Sequence, residues 1–123
     1  MPKKVLLVDD SATSRLMHRT IVANNTNYTV VCAQNGEQAL EMAGAEKPDL
    51  ILLDIMMPGI SGLEVCQRLR DQRDTSLVPI VMLTFRTGED SIHTGFANGC
   101  TAYLTKPVQE TELLKTLRQY LGD

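Results

Sequence analysis

The sequence predicts an α/β fold: a five-stranded parallel sheet with helices on both faces. Two observations carry this. Short β-branched or Leu-rich runs recur along the chain, the first, third and fourth of them continuously apolar, and segments with helical periodicity separate them. Runs that do not alternate apolar with polar suit strands buried on both faces, as in a parallel sheet, and strict β–α alternation implies right-handed crossovers. The 123 residues suit one domain, 1–123, large enough to form its own core.

The runs are "VLLV" (Val5 to Val8), "YTVVCA" (Tyr28 to Ala33), "LILL" (Leu50 to Leu53), "IVML" (Ile80 to Leu83) and "AYL" (Ala102 to Leu104). Ser11 to Asn24 reads as the first helix, with Ser11 as N-cap and Leu16, Thr20 and Ile21 on its inner face. Asn35 to Glu46 buries Ala39, Leu40 and Ala43, and Pro48 closes it. "SGLE" (Ser61 to Glu64) has the form of a capping box opening a helix with Val65, Cys66 and Leu69 inward. Gly88 to Asn98 is a weaker helix, with Ile92 and Phe96 four apart, Gly95 between them, and Gly99 as a stop. Glu110 to Leu121 carries a stripe of Leu113, Leu114, Leu117 and Leu121.

Composition excludes several classes. Twelve basic against fifteen acidic residues give a net charge of −3, which argues against direct nucleic-acid binding. No apolar run approaches the roughly 20 residues that span a bilayer, and "MPKK" followed by a short run and Asp-Asp is not a signal peptide. Cys32, Cys66 and Cys100 form no CxxC pair, so they read as reduced thiols in a cytoplasmic protein rather than as a zinc site.

In open α/β sheets ligands bind beyond the carboxyl ends of the strands. The residues there are Asp9 and Asp10 after the first run, Asp54 after the third, Thr84 after the fourth, and Thr105, Lys106 and Pro107 after the fifth. Singly, each has an ordinary reading: a helix cap for Asp9 or Asp10, a turn before Pro58-Gly59 for Asp54, surface groups for Thr84 and Lys106. Together they place three carboxylates, a hydroxyl and an amine on one edge. Carboxylates so gathered raise one another's pKa unless a cation intervenes. A donor set of hard oxygens without His or Cys selects Mg²⁺. Three carboxylates, one ammonium and one divalent cation sum to zero, which suits a site that receives a phosphoryl group on a carboxylate.

The motifs "VDDS" (Val8 to Ser11), "LLDIMMPGISG" (Leu52 to Gly62), "VMLT" (Val81 to Thr84) and "AYLTKP" (Ala102 to Pro107) resemble those of the receiver domain of bacterial two-component response regulators. The resemblance covers essentially the whole chain. It implies a flavodoxin-like (βα)5 fold with strand order 2-1-3-4-5. It also implies that Asp54 takes a phosphoryl group from a phosphohistidine on a histidine kinase or phosphotransfer protein. Asp10 would bind Mg²⁺ directly and Asp9 mainly through water, with Asp54 and the Met56 carbonyl completing the protein ligands. Lys106 would pair with the phosphoryl group, and Thr84 would donate to it. Tyr103 would rotate toward the space Thr84 vacates, and Lys106–Pro107 would be cis.

Such a domain is not a conventional enzyme; it catalyses its own phosphotransfer and autodephosphorylation. Its output would be a surface of segment 88–98, the fifth strand and the last helix, including Ile92 and Tyr103, presented to a downstream protein. A buried core aromatic is the other reading of Tyr103. Phe85 departs from the family, where a small residue follows the switch hydroxyl. Phe85 and Arg86, with Met56, would modulate the phosphoryl pocket, unless Phe85 folds outward. His18 and His93 read as solvated.

Three alternatives compete. A haloacid-dehalogenase-like phosphatase would carry an Asp where Met56 stands. A phosphorylation-independent interaction module has only Phe85 in its favour. A nucleotide-binding flavodoxin-like protein lacks its Gly-rich loop after the first strand. Within the 123 residues nothing after Leu121 is long enough to be an output domain, so the sequence reads either as a stand-alone receiver or as one domain cut from a larger chain.

Overall fold

A computed structural model of the chain describes residues 2–55, 57–84 and 99–122. The expected helix at 88–98, with Ile92, His93 and Phe96, lies outside these residues, as do Met56, Phe85 and Arg86. The described strands are β1 (Lys4–Val8), β2 (Thr29–Ala33), β3 (Leu50–Asp54), β4 (Ile80–Thr84) and β5 (Ala102–Thr105). The helices are α1 (Ala12–Asn25), α2 (Gly36–Glu46), α3 (Gly62–Asp71) and α4 (Glu110–Leu121), with a 3-10 turn at Arg73–Thr75. All strand pairs are parallel, in the order β2-β1-β3-β4-β5.

The central strands β3 and β4 are buried throughout, and β1 after its first residue, whereas the edge strands β2 and β5 are partly exposed. This is the distribution that continuous apolar runs demand, since both faces of a central strand meet helices. The two-residue period divides the core. Leu6, Val8, Ile51, Leu53, Ile80 and Met82 pack with Ala39 and Ala43 of α2 and Val65 and Leu69 of α3. Val5, Leu7, Leu50, Leu52, Val81 and Leu83 pack on the other face with Val22 of α1 and Leu113 and Leu117 of α4.

Side-chain caps start three helices. Ser11 accepts from the Ser14 N–H, Asn35 from Gln38 and Ser61 from Glu64. Only half of the expected capping box forms, because the Glu64 carboxylate pairs with Arg68 at 2.8 Å. Lys47, at φ +49, ends α2 just before Pro48.

The inner face of α1 differs from the sequence expectation. Leu16 is 66% exposed and Thr20 is exposed, whereas His18 and Val22 are buried. The stripe facing the sheet therefore runs Ser14, His18, Ile21, Val22. A polar residue at an inward position hides the phase of a helix from a hydropathy reading. His18 is correspondingly not solvated: it is 2% exposed, and neither ring nitrogen has a hydrogen-bond partner among the described residues.

Candidate functional site

Strand parity assembles the site. Asp9 continues the face of Val5 and Leu7, Asp54 that of Leu50 and Leu52, and Lys106 that of Leu104; all of these apolar residues belong to the α1/α4 side of the core. Register does the rest. Val8 lies opposite Leu53, so the next positions, Asp9 and Asp54, are neighbours. The ladder continues past the strand ends, with Asp9 N–H donating to Ala33 O at 3.1 Å, Ile55 N–H to Leu83 O at 3.1 Å and Lys106 N–H to Thr84 O at 2.7 Å. The Lys106–Pro107 peptide is cis.

Carboxylate oxygens of Asp9, Asp10 and Asp54 all lie within 4.8 Å of one another. The Lys106 ammonium sits between two of these groups, 3.3 Å from Asp9 Oδ2 and 3.1 Å from Asp54 Oδ2. All three of those side chains are nearly inaccessible to water, so their attraction is far less screened than at the surface.

The adjacent acidic pair divides sharply. Asp9 is fully buried, and its Oδ1 accepts from the Ser11 N–H at 3.0 Å. Its Oδ2 accepts from Ser14 Oγ at 2.6 Å, while Arg15 Nη1 holds its backbone carbonyl at 2.6 Å. Burial works to raise the Asp9 pKa, but the Ser14 hydroxyl, the Ser11 N–H and the Lys106 ammonium outweigh it and bring the value down. Asp10 is exposed, and its carboxylate has no partner among the described residues, so it is available to an ion.

Gly62 explains the spacing in the β3–α3 motif. A Cβ there would collide with the Asp54 carbonyl oxygen and lie 2.7 Å from Ile55 Cα. The Gly62 N–H donates to Ile55 O at 3.1 Å, tying the start of α3 to the backbone beside Asp54. Thr84 is buried at the end of β4, the strand next to β3. Tyr103 is 38% exposed on edge strand β5, which rules out the buried core aromatic. A cavity of about 370 Å³ opens between the acidic cluster and Met17, His18, Pro107 and Val108.

Sequence reasoning brought Asp9, Asp10, Asp54, Thr84 and Lys106 to this edge. It missed Ser14, Arg15 and His18. The signal for Ser14 was its place three residues beyond the Ser11 cap, on the turn that faces back toward β1.

A doubly wound parallel sheet that gathers three carboxylates and a lysine at its carboxyl edge is chemically suited to hold a divalent cation beside a phosphoryl group. The family model for the response regulator receiver domain matches residues 5–118, and the chain belongs to that family. This membership makes it a phosphorylation-activated signalling domain and excludes the haloacid-dehalogenase-like and nucleotide-binding alternatives.

Among relatives, the polar-differentiation response regulator DivK of Brucella anthropi is 35% identical over 126 residues, covering 100% of this chain and 99% of that protein. The chemotaxis protein CheY4 of Vibrio cholerae superposes with a TM-score of 0.93 at 36% identity, covering 98% of this chain and 100% of the other. The receiver domain of the sensor histidine kinase PA1611 of Pseudomonas aeruginosa, solved with magnesium coordinated in its active-site cleft, superposes at 0.91 with 26% identity over both full chains.

Proposed function

We propose that Asp54 is the phosphoacceptor of this receiver domain and that its donor is a phosphohistidine on a histidine kinase or phosphotransfer protein. The observation that carries this reading is a buried carboxylate held 3.1 Å from a buried ammonium, with two further carboxylates beside it. An Asp54 oxygen forms the new bond to phosphorus as the donor's P–N bond breaks, and the electron pair leaves with the imidazole nitrogen, which then takes a proton. Lys106 offsets charge on the phosphoryl oxygens. The Thr84 hydroxyl donates to one of them, and its movement lets Tyr103 turn inward, altering the surface around β5 and α4 that a downstream protein reads. Hydrolysis of the aspartyl-phosphate resets the domain.

The donor set fits Mg²⁺: hard oxygens only, one carboxylate without a partner among the described residues, and a local charge that a divalent cation and Lys106 neutralise. Asp10 and Asp54 would hold the ion directly with the Met56 carbonyl, and Asp9 at one remove because both of its oxygens already accept hydrogen bonds. When bound, the ion supplies charge stabilisation to the transferring group. We place the domain in the cytoplasm; burial pushes the Cys66 thiol up to about 11, which leaves it protonated and unreactive at neutral pH. No described helix is long and apolar enough to cross a membrane.

The test is incubation with Mg²⁺ and acetyl phosphate followed by intact-mass measurement. Wild type is expected to gain one phosphoryl group and Asp54→Asn none. No gain in wild type, or an equal gain in the variant, overturns the assignment.

A further inference from the structure

Lys106 faces a conflict. It contacts two carboxylates at once, 3.3 Å from Asp9 and 3.1 Å from Asp54. On the reading above, it must turn to a phosphoryl group when Asp54 is modified. Leaving Asp9 would then strip a donor from a carboxylate with no exposure to water, and unpaired buried charge is strongly disfavoured.

We propose that Ser14 is a positioning residue for phosphoryl transfer: its hydroxyl holds the same Asp9 oxygen that Lys106 contacts, so the lysine can leave that oxygen without stranding it. The Ser14 Oγ–Asp9 Oδ2 distance of 2.6 Å falls in the short range of hydroxyl–carboxylate bonds, and it is 0.7 Å shorter than the lysine contact to the same atom (3.3 − 2.6). A helical serine commonly turns its hydroxyl back to the carbonyl four residues earlier. Here it donates instead to the carboxylate of the residue that follows β1. The Ser11 N–H covers the other oxygen at 3.0 Å, and Arg15 pins the Asp9 carbonyl. Two of the three donors to the carboxylate thus belong to the first turn of α1 and its cap, which take no part in the chemistry. The third is the one that must move. Without Ser14, Lys106 becomes the sole side-chain donor to Asp9 among the described residues, and Asp9 competes with the phosphoryl group for it.

This inference rests on Asp54 as phosphoacceptor, and the experiment separates the two. Wild type, Ser14→Ala and Ser14→Thr are phosphorylated by acetyl phosphate over a Mg²⁺ titration, and the rate constant at saturating Mg²⁺ is compared with the Mg²⁺ midpoint and the thermal midpoint. Ser14→Ala is expected to lower the saturating rate constant about tenfold, the scale of one lost hydrogen bond to a charged group. Ser14→Thr, which keeps the hydroxyl, is expected to restore most of it. A structural role would move the thermal midpoint and leave the saturating rate of the folded protein alone.

A wild-type rate in Ser14→Ala overturns the inference, as does a threonine variant as slow as the alanine one. Absence of incorporation in wild type overturns instead the assignment of Asp54. A crystal structure of the wild-type Mg²⁺–beryllofluoride form provides a second measurement that needs no variant. Ser14 Oγ is expected to remain within hydrogen-bond distance of Asp9 while Lys106 Nζ has left it; a serine that turns away overturns the inference.

Discussion

A long cationic side chain is set among oxygens at each end of the sheet, and the two are built for opposite purposes. At the amino end of β4, Arg70 donates to the carbonyls of Gly99, Thr75, Ser76 and Val78 and to Thr101 Oγ1, at 2.7–3.2 Å. It joins the end of α3 and the turn before β4 to the entry of β5. Gly99, at φ +97, keeps this approach open, since a Cβ there would lie 2.7 Å from Arg70 Cγ. At the carboxyl end, Lys106 is shared between two carboxylates. Backbone carbonyls cannot change charge and cannot leave, so the guanidinium, with its fixed fork of donors, is a permanent fastening. Carboxylates can be modified or can take a metal, and the ammonium, a point charge on a flexible stem, can follow the change. One cation fastens backbone to backbone, and the other is held by groups whose charge can change.

Replacing Arg70 with Met gives the largest expected effect on stability. It leaves several carbonyls without their donor and should lower unfolding free energy by about 4 kcal/mol in denaturant titrations. Added Mg²⁺ should not restore it. Recovery with Mg²⁺ would break the distinction between the two ends.

Lys106→Met comes next. Loss of one partner from a buried ion pair costs about 3 kcal/mol without divalent cations, and this loss should shrink as Mg²⁺ is titrated in. A loss insensitive to Mg²⁺ would make Lys106 as fixed as Arg70.

Gly62→Ala forces α3 off the backbone beside Asp54, with an overpacking cost of about 2 kcal/mol. It should also weaken Mg²⁺ binding, as read by calorimetry, because the cluster shares that backbone.

The smallest effect belongs to His18. Burial lowers its pKa from the usual 6.5, an effect that the Lys106 charge reinforces and that of Asp9 opposes. A base whose folded pKa is depressed contributes stability that is present above pH 6.5 and is lost as pH falls. His18→Leu should gain about 1 kcal/mol at pH 7 by removing two unsatisfied nitrogens. It should also flatten the decline in denaturation midpoint between pH 7 and pH 5. An equal decline in the variant would assign the acid sensitivity to other groups.

The central strands were legible because "VLLV", "LILL" and "IVML" are apolar at every position, a pattern that only two-sided burial explains. The edge strands were less so. Their tertiary neighbours, not their hydropathy, decide which residues stay wet, and Tyr103 is the example. Topology carried the site, since strand ends in a parallel sheet bring distant residues together. The phase of α1 was misread because His18 occupies a position that hydropathy assigns to an aliphatic residue. Ser14 and Arg15 were missed because their partner is the end of β1, a contact that helical period does not encode. The unequal division of Asp9 and Asp10 follows from that same turn: one carboxylate accepts from its Ser11 N–H and Ser14 hydroxyl, and the other is exposed.

The contact at Gly62 has a mechanical consequence. Where side chains separate two elements, rotamer changes absorb a small displacement before it passes on. Between the end of β3 and the start of α3 there is no such layer, because the main chains meet directly. A displacement of the backbone beside Asp54 therefore meets the first residue of α3 with no side chain at that point to absorb it.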